Sequence, residues 1–502
     1  MQAAPADSMR RGLITVSIML ATVMQVIDMT IVNVALPHMQ GTLSATQDQI
    51  AWVLTSYIIA AAIFTPLAGI LAARFGRRRV LLASMLAFTL ASMLCGAAQS
   101  LEQMVLYRMI QGAAGAALVP LSQAVLLDTY PREKHGQAMA LWGMGVMVGP
   151  ILGPMVGGYL TEYYSWRWAF YINLPIGLLA LFGSAAVLSE TELDKKRRFD
   201  FLGFALLSIA IGSLQFMLDR GESLDWFSSQ TIVILCVIAG LAMYMFLVHM
   251  MTAARPFIEP GLFMDRNFST GLFLMLMMGV MLFSTLALMP PLMQNLFGFP
   301  VIATGVLLAP RGMGTMVAMV IVGRLIGRFD TRLLLLFGIS LMAVSLWQMA
   351  GFSLETGSGP IIWSGVIQGI GLGFLFVPLS TAAFSTLAPR YRNEGTAMFS
   401  LIRNVGSSIG ISVVITVLGH QTQTSHAEIG NSLNALRPTL QTPLVPQIWD
   451  WTTSAGAAAL NGEVTRQSYM IAYLNDFRLM MYLTLLALPL LLLLRPPPRA
   501  PS

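Results

Sequence analysis

Residues 24–37 read MQVIDMTIVNVALP and place one carboxylate, that of Asp28, inside an apolar run that begins near Leu13. The run is long enough to cross a bilayer, since about 20 apolar residues span the hydrocarbon core as a helix. A charged side chain near the bilayer centre costs about 2.5 to 3.5 kcal/mol on insertion scales, so chains keep one where a water-filled cavity or a partner receives it. The other acidic residues fall in loops or near the ends of predicted helices. Asp28 is therefore predicted to be a functional residue.

The composition indicates that the whole chain lies in a membrane. Of its 502 residues, 56% are hydrophobic and 10% are charged, whereas soluble domains carry about 25% charged residues. Apolar runs of about 20 residues recur about fourteen times along the chain. We expect an all-α polytopic membrane protein with about fourteen transmembrane helices.

The formal net charge of +6 would suit a nucleic-acid-binding protein, but the placement of the basic residues has another explanation. Most of the 29 Lys and Arg residues fall in alternate loops. By the positive-inside rule these loops are cytoplasmic, so both termini are predicted to be cytoplasmic, which requires an even number of spans. The excess of basic residues is therefore explained by the orientation of the chain in the membrane, where its surroundings are lipids. No nucleic-acid partner is expected.

An internal repeat divides the chain. Residues 111–122 (QGAAGAALVPLS) reappear as residues 368–380 (QGIGLGFLFVPLS), and residues 69–78 (GILAARFGRR) correspond to residues 323–332 (GRLIGRFDTR). The shift is about 250 to 260 residues in both pairs, and the copies lie on the same predicted side of the membrane, so the repeats are parallel. Transporters built from such repeats place the substrate site near the midplane between the halves.

The repeat predicts two six-helix halves, residues 1–200 and residues 256–502. Two apolar runs between them have no counterpart, so residues 201–255 are predicted to form an inserted helix pair. The polar, proline-containing segment 420–476 is expected to be a long periplasmic loop before the last helix. Such loops are usually functional or disordered. This one is either a tolerated insertion or a docking element for an extracytoplasmic partner.

Several motifs spread over most of the chain are similar to those of a known family. They lie at residues 27–37, 69–79, 106–112, 145–158, 166–177 and 218–226. The sequence resembles the major facilitator superfamily and, more narrowly, its fourteen-helix drug:proton antiporter branch with the EmrB-type multidrug efflux permeases. The resemblance implies the major facilitator fold, with two six-helix halves plus two inserted helices, in the bacterial inner membrane. It also implies a HlyD- or EmrA-like periplasmic adaptor and an outer-membrane channel as candidate partners.

Asp28 and Arg108 are predicted to lie at similar depths. At 1.5 Å per residue, Asp28 lies about 13 Å below the outer end of its helix and Arg108 about 9 Å below the outer start of the fourth. Desolvation raises the pKa of a carboxyl group and a nearby guanidinium lowers it, so a cavity that opens to each side in turn would let such a pair take up and release a proton. The resemblance assigns proton coupling to the first-helix acid, and Arg108 matches the membrane arginine of the motif. The alternative is a fixed ion pair that orders the helices.

Three further side chains are predicted to line a substrate cavity: Gln25, Asn33 and Arg311. Arg311 lies about 13 Å from the outer end of its helix, at the depth of Asp28. In one interpretation it attracts the anionic part of a substrate or shares the Asp28 carboxylate. In the other it pairs with a backbone carbonyl freed by Pro310.

One predicted helix carries a glycine at every fourth position, with two prolines between them: Gly145, Gly149, Pro150, Gly153, Pro154 and Gly157. This spacing puts the glycines on one helix face, where the missing side chains let another helix approach closely. Packing alone would account for the pattern. The resemblance adds that this is the family's antiporter motif, whose close, bendable contact seals the cavity and limits uncoupled leak.

The loop after the second helix is predicted to form a cytoplasmic gate through Gly69, Arg74, Gly76, Arg77 and Arg78. The family usually has an acid at the position of Ala73, and the second repeat has Gly327 there. In the family that acid helps to hold the gate by charge and capping contacts. Here the task is expected to fall to the arginines or to a residue elsewhere.

These observations predict a proton-coupled exporter of small hydrophobic or amphipathic compounds, in which Asp28 exchanges an inward proton for an outward substrate by alternating access. No cofactor is expected, because the proton motive force supplies the energy. One alternative is an exporter of an endogenous metabolite, lipid or siderophore, and another is a non-transporting membrane scaffold or sensor. An enzyme is not predicted: the GxSxG match at residues 406–410 lies within a membrane helix, and the sequence contains neither a HExxH motif nor a P-loop.

Overall fold

A computed structural model describes residues 5–190, 199–433, 449 and 453–495. Over these residues the chain forms eighteen α-helices, short 3₁₀ turns and one π-helical turn, and no β-strand. The helices are α1 (Pro5–Thr42), α2 (Gln47–Ile50), α3 (Trp52–Phe75), α4 (Arg77–Ala97), α5 (Leu101–Gly115), α6 (Leu118–Thr129), α7 (His135–Tyr163), α8 (Trp168–Tyr171), α9 (Asn173–Val187), α10 (Phe201–Arg220), α11 (Gln230–Thr252), α12 (Gly261–Met264), α13 (Arg266–Pro291), α14 (Val301–Leu325), α15 (Thr331–Met349), α16 (Ser358–Ser385), α17 (Arg392–Ser432) and α18 (Ser454–Leu486).

Fourteen spans in this part of the chain are long and apolar enough to cross a membrane. Two of them are built from consecutive helices: α5 with α6, and α8 with α9. The predicted all-α fold with about fourteen transmembrane helices is confirmed.

Short polar side chains set where several helices begin. The Ser100 hydroxyl accepts a hydrogen bond from the Gln103 backbone N–H at 3.3 Å, and Asp265 accepts one from the Phe268 N–H at 2.8 Å. Both satisfy donors that the first helical turn leaves unpaired. The cap at Ser100 also fixes the register of α5, so that Arg108 lies two turns inside the helix.

The two halves of the bundle meet where α7 packs against α14 and where α3 packs against α17. We call the end of the bundle at which Arg77 and Arg392 lie the basic face. Near this face, a Cβ on Gly136 of α7 would lie 3.0 Å from the Ile326 side chain at the end of α14. Deeper in, the Trp142 and Phe376 rings stack with centroids 5.5 Å apart. The halves are therefore in direct contact at the basic face.

Helices α10 and α11 pack on one another, and α10 lies beside the seam between α3 and α17. The Gln215 amide donates a hydrogen bond to Ser408 of α17, and the Phe216 and Trp52 rings approach with centroids 5.4 Å apart. The inserted pair thus contacts both halves of the bundle.

The expected long loop over residues 420–476 is helical at both ends, so that prediction was wrong for the part of the segment that the structure describes. Helix α17 continues to Ser432, and α18 begins at Ser454. Residues 434–448 and 450–452 lie outside the described residues. The two helices hold each other through polar contacts, from Asn475 to Gln421 at 3.2 Å and from His426 to Asn461 at 3.1 Å. Hydropathy does not detect such a polar helix pair.

Candidate functional site: a buried carboxylate cluster

Three helices converge on the carboxylate of Asp28, which is 0% exposed. Its Oδ2 accepts a hydrogen bond from Arg108 Nη1 at 2.7 Å. Its Oδ1 accepts two more, from Gln111 Nε2 at 2.8 Å and from Asn173 Nδ2 at 2.8 Å. Helix α1 supplies the acid, α5 the guanidinium and one amide, and α9 the second amide. The buried carboxylate thus has one guanidinium and two amide groups as hydrogen-bond donors.

The Arg108 guanidinium has a complete set of neighbours of its own. Nε donates to the Val53 carbonyl at 3.1 Å, and Nη1 also donates to Gln111 Oε1 at 2.8 Å. The Tyr57 ring lies against it, with the guanidinium carbon 4.2 Å from the ring centroid. A cation held by a carboxylate, a carbonyl and an aromatic face is tolerated in a low-dielectric interior.

A second layer of contacts orients Asn173. Its amide also donates to Ser92 Oγ at 2.9 Å, and Ser92 in turn donates to the Phe170 carbonyl at 2.9 Å. Asn173 Oδ1 has no hydrogen-bond partner within the described ranges. The cluster therefore holds an acceptor that its present contacts leave unused.

The structure brings Asp28 and Arg108 together, as the depth argument expected, but it separates the three predicted cavity residues. Gln25 is buried on α1, and Asn33 is exposed and donates to the Met29 carbonyl at 3.2 Å. Arg311 lies in the other half, where its Nη2 is 3.4 Å from the Leu282 carbonyl. Arg311 forms no ion pair with Asp28. Arg311 therefore does not share the Asp28 carboxylate, whereas its role as a cavity charge for a substrate stays a prediction.

The glycine face of α7 packs on α1 along its length. A Cβ on Gly149 would lie 2.7 Å from the carbonyl carbon of Val26, and one on Gly157 would lie 2.7 Å from the Ile31 side chain. The Gly149 carbonyl also accepts a hydrogen bond from Thr30 at 3.0 Å. Gly145 faces Met19 of α1, and Gly153 faces Thr30 of α1. The two prolines of the motif, Pro150 and Pro154, lie within α7.

At the basic face, Arg77 joins the two halves. Its Nη1 forms an ion pair with Asp128 of α6 at 2.5 Å, and its Nη2 donates to Asn393 Oδ1 of α17 at 2.7 Å. Arg392 of α17 pairs with the same Asp128 carboxylate. Gly69 lets α3 approach this point, because a Cβ there would lie 3.0 Å from the Glu394 backbone.

The missing acid at Ala73 is replaced by Glu190, which follows α9. Glu190 Oε1 accepts the Arg78 backbone N–H at 3.2 Å, and so caps the start of α4. Gly76 is required at this turn, because its φ is +93° and a Cβ would collide with the Glu190 carboxylate. Arg78 itself donates to the Ala185 carbonyl at 2.8 Å, whereas Arg74 is exposed and lies over the Phe75 ring.

Sequence reasoning missed four of the polar residues. Gln111 and Asn173 lay within quoted motifs, but neutral amides gave no energetic signal comparable to that of a charge. Asp128 and Asp476 were assigned to a helix end and a loop. Asp476 is instead buried within α18, and neither carboxylate oxygen has a hydrogen-bond partner among the described residues. Asp476 therefore lies within a helix and not in the loop predicted over residues 420–476.

Comparison with known proteins shows the family to which the chain belongs. Residues 18–411 match the family model described as Major Facilitator Superfamily. The chain belongs to the major facilitator superfamily. Within it, the chain is 38% identical to the multidrug export protein EmrB of Escherichia coli strain K12 over 442 residues, which cover 88% of this chain and 86% of that protein. It is also 32% identical to the fatty acid resistance protein FarB of Neisseria gonorrhoeae, over 96% of each chain.

Solved structures agree on the fold. The proton:xylose symporter XylE superposes with a TM-score of 0.60 at 14% sequence identity, over 95% of each chain. At that identity the likeness concerns the fold alone. The predicted major facilitator fold and the assignment to the EmrB-type multidrug efflux permeases are confirmed, and the chain is a multi-pass membrane protein whose relatives are transporters.

Proposed function

We propose that this protein is a proton-coupled exporter of hydrophobic or amphipathic drugs and toxic compounds in the bacterial inner membrane, driven by the proton motive force without a cofactor. The observation that carries the proposal is the Asp28 carboxylate, fully buried and bound by Arg108, Gln111 and Asn173. Relatives named as multidrug export proteins support the kind of substrate.

Protonation of Asp28 is the step that changes the cluster. The neutral carboxyl group loses its attraction to Arg108, which retains the Gln111 and Val53 oxygens as partners. Breaking a buried ion pair costs about 3 to 5 kcal/mol unless other groups compensate. A proton on Asp28 therefore favours a different arrangement of α1, α5 and α9, and release of the proton restores this one.

The positive-inside rule puts the basic face, and both termini, in the cytoplasm. The contacts of Arg77 with Asn393 and of Arg392 with Asp128 then hold the halves together on the cytoplasmic side. We infer that the substrate path between the halves opens outward in this state, and the exposed amide of Asn33 fits that direction. Inward opening requires these contacts to separate, while the close α1–α7 packing keeps a proton from leaking past Asp28.

A second candidate substrate class is amphiphilic carboxylic acids. The relative named for fatty acid resistance favours it. So does Arg311, a buried cation that forms no ion pair among the described residues.

A HlyD- or EmrA-like adaptor and an outer-membrane channel would extend the export path beyond the inner membrane. Helix α17 has 41 residues and is therefore about 60 Å long, about twice the thickness of the hydrocarbon core. Its outer part and that of α18 project from the membrane and offer the adaptor a rigid contact surface.

The test is uptake of a lipophilic dye into energised inverted vesicles, with lumenal pH recorded at the same time. Wild-type protein should accumulate dye and release lumenal protons. Asp28→Asn should abolish both, because the amide cannot take up a proton. Asp330→Asn is the matched control, since Asp330 caps α15 through the Arg332 N–H at 2.9 Å and asparagine caps equally well.

Dye exchange between unenergised vesicle compartments separates coupling from folding. Asp28→Asn that still exchanges dye but no longer accumulates it has lost the proton step alone. Accumulation that survives Asp28→Asn, or that persists after the pH gradient and the membrane potential are both collapsed, would remove Asp28 from the mechanism.

A further inference from the structure

The second half contains a counterpart of the Asp28 cluster. Gln111 and Gln368 begin the two copies of the repeat, 257 positions apart, and the same shift carries Asp28 to Thr285. The contact is also repeated: Gln111 Nε2 donates to Asp28 at 2.8 Å, and Gln368 Nε2 donates to Thr285 Oγ1 at 3.2 Å. Position 285 is therefore the structural equivalent of the proton-site acid, and it carries a neutral hydroxyl.

The arginine of the second cluster comes from a helix that is not equivalent to that of Arg108. The position equivalent to Arg108 is Gly365, and the space beside it is taken by Arg311, whose Cβ lies 3.6 Å from a Cβ built on that glycine.

Arg311 stands where the first half has Tyr57. The backbone packing shows this: a Cβ on Gly112 would lie 3.1 Å from the Tyr57 carbonyl carbon, and one on Gly369 would lie 2.9 Å from that of Arg311. Each half thus places one guanidinium at its polar cluster.

Only the first half neutralises that charge. Arg311 is 6% exposed, forms no ion pair within the described ranges, and has the Leu282 carbonyl at 3.4 Å as its hydrogen-bond acceptor there. Gln368 Oε1 lacks a partner in the same part of the chain. A buried cation without a counter-charge is expensive. The site therefore shares a guanidinium and a glutamine amide with the Asp28 cluster, but it has a hydroxyl where that cluster has its carboxylate.

We propose that this second cluster, formed by Arg311, Gln368 and Thr285, binds the carboxylate of an exported amphiphile, which supplies the acid that the chain lacks there. A guanidinium presents paired N–H groups that match a carboxylate in a bidentate arrangement. The apolar tail then occupies the space between the halves. The proposal rests on the proposed export function and names its substrate class: organic anions with a long apolar chain.

The test is equilibrium binding of radiolabelled dodecanoate and its methyl ester to the purified full chain in nanodiscs, with empty nanodiscs subtracted. Wild-type protein should bind dodecanoate at least about tenfold more tightly than the ester, and Arg311→Gln should remove that difference, because a charge-assisted hydrogen bond is worth about tenfold or more in affinity. Arg311→Lys, which keeps the charge without the paired N–H groups, should lose part of it.

Thr285→Asp tests the same idea with a variant that adds an interaction. The new carboxylate should pair with Arg311, lower the affinity for dodecanoate at least about tenfold and raise the thermal stability. Thr285→Asn is the matched neutral comparison, because it has the size of aspartate without its charge, and it should weaken dodecanoate binding less than Thr285→Asp does.

Three results would overturn the proposal: no dodecanoate binding above empty nanodiscs, equal affinity for acid and ester in the wild type, or unchanged dodecanoate binding in a folded Arg311→Gln or Thr285→Asp variant. Binding needs no proton gradient, so this experiment is independent of coupling. A wild-type protein that binds dodecanoate but shows no proton-coupled dye uptake would refute the proposed coupling alone. Intact coupling without dodecanoate binding would refute the anion site alone.

Discussion

The packing of α7 on α1 makes a quantitative prediction for glycine substitutions. A Cβ on Gly149 would lie 2.7 Å from the Val26 carbonyl carbon and 2.8 Å from Val26 Cβ. Carbon atoms in contact prefer about 3.5 to 4.0 Å, so the helices must separate by about 1 Å. Such overpacking costs about 1 to 3 kcal/mol. The value for Gly149→Ala should lie near the upper end, because the obstacle is backbone that cannot turn away.

Two glycines on the same helix serve as controls. A Cβ on Gly158 would meet nothing within 4 Å, so Gly158→Ala should gain the helix propensity of alanine, about 1 kcal/mol. A Cβ on Gly145 meets the end of Met19, a flexible side chain that can move, so Gly145→Ala should be close to neutral. After the same propensity gain, Gly149→Ala should be about 2 kcal/mol less stable than wild type.

The assay is unfolding of purified protein by SDS in mixed micelles, followed by tryptophan fluorescence, together with passive proton leak into vesicles. We expect the order of stability Gly158→Ala, then Gly145→Ala, then Gly149→Ala, and increased leak in Gly149→Ala alone. Val26→Ala should rescue Gly149→Ala only in part, since the backbone contact remains. Equal stability of the Gly149 and Gly158 variants would show that α1 and α7 do not pack as closely as described.

Two further substitutions test single contacts. Gly76→Ala and Gly327→Ala share a strained backbone, with φ of +93° and +91°, but only the first displaces the Glu190 carboxylate. Gly76→Ala should therefore lose about 1 to 2 kcal/mol more in the same unfolding assay, and equal losses would mean that Glu190 does not hold the gate loop. Asp476→Leu should raise the free energy of unfolding by about 1 to 3 kcal/mol, because it removes buried oxygens that lack partners among the described residues. Asp476→Asn should gain less, and a destabilised leucine variant would reveal an attractive interaction at this carboxylate.

The fold was predictable because membrane insertion imposes a simple length rule. Each span needs about 20 apolar residues, and the repeat fixed the pairing of the halves. The rule fails where a helix leaves the hydrocarbon. Residues 420–432 and 454–476 are polar, so hydropathy marked them as loop, although α17 and α18 continue through them. Helix pairs held by side-chain hydrogen bonds outside the bilayer give no such length signal.

The acid of the site was predictable for the same energetic reason, since an intramembrane charge is expensive. The amides of Gln111 and Asn173 are not costly enough to stand out, and their contribution depends on contacts across 83 and 145 residues of sequence. The sequence did not decide between the two interpretations of Arg311 for a different reason. Depth along a helix is a one-dimensional quantity, and it cannot tell which half of the bundle a side chain faces. The repeat shift of 257 residues would have separated the two sites, because it carries Asp28 to Thr285.

The contrast between the two clusters bears on the energetics of transport. The first can lose its charge pairing by taking up a proton, whereas an arginine stays charged at all relevant pH values, so the second can be neutralised only by an anion. If one proton enters for each substrate that leaves, a neutral substrate moves one net charge across the membrane and a carboxylate moves two. Each charge is worth about 2.3 kcal/mol per 100 mV. Export of the anion would therefore draw twice as much free energy from the membrane potential as export of a neutral compound.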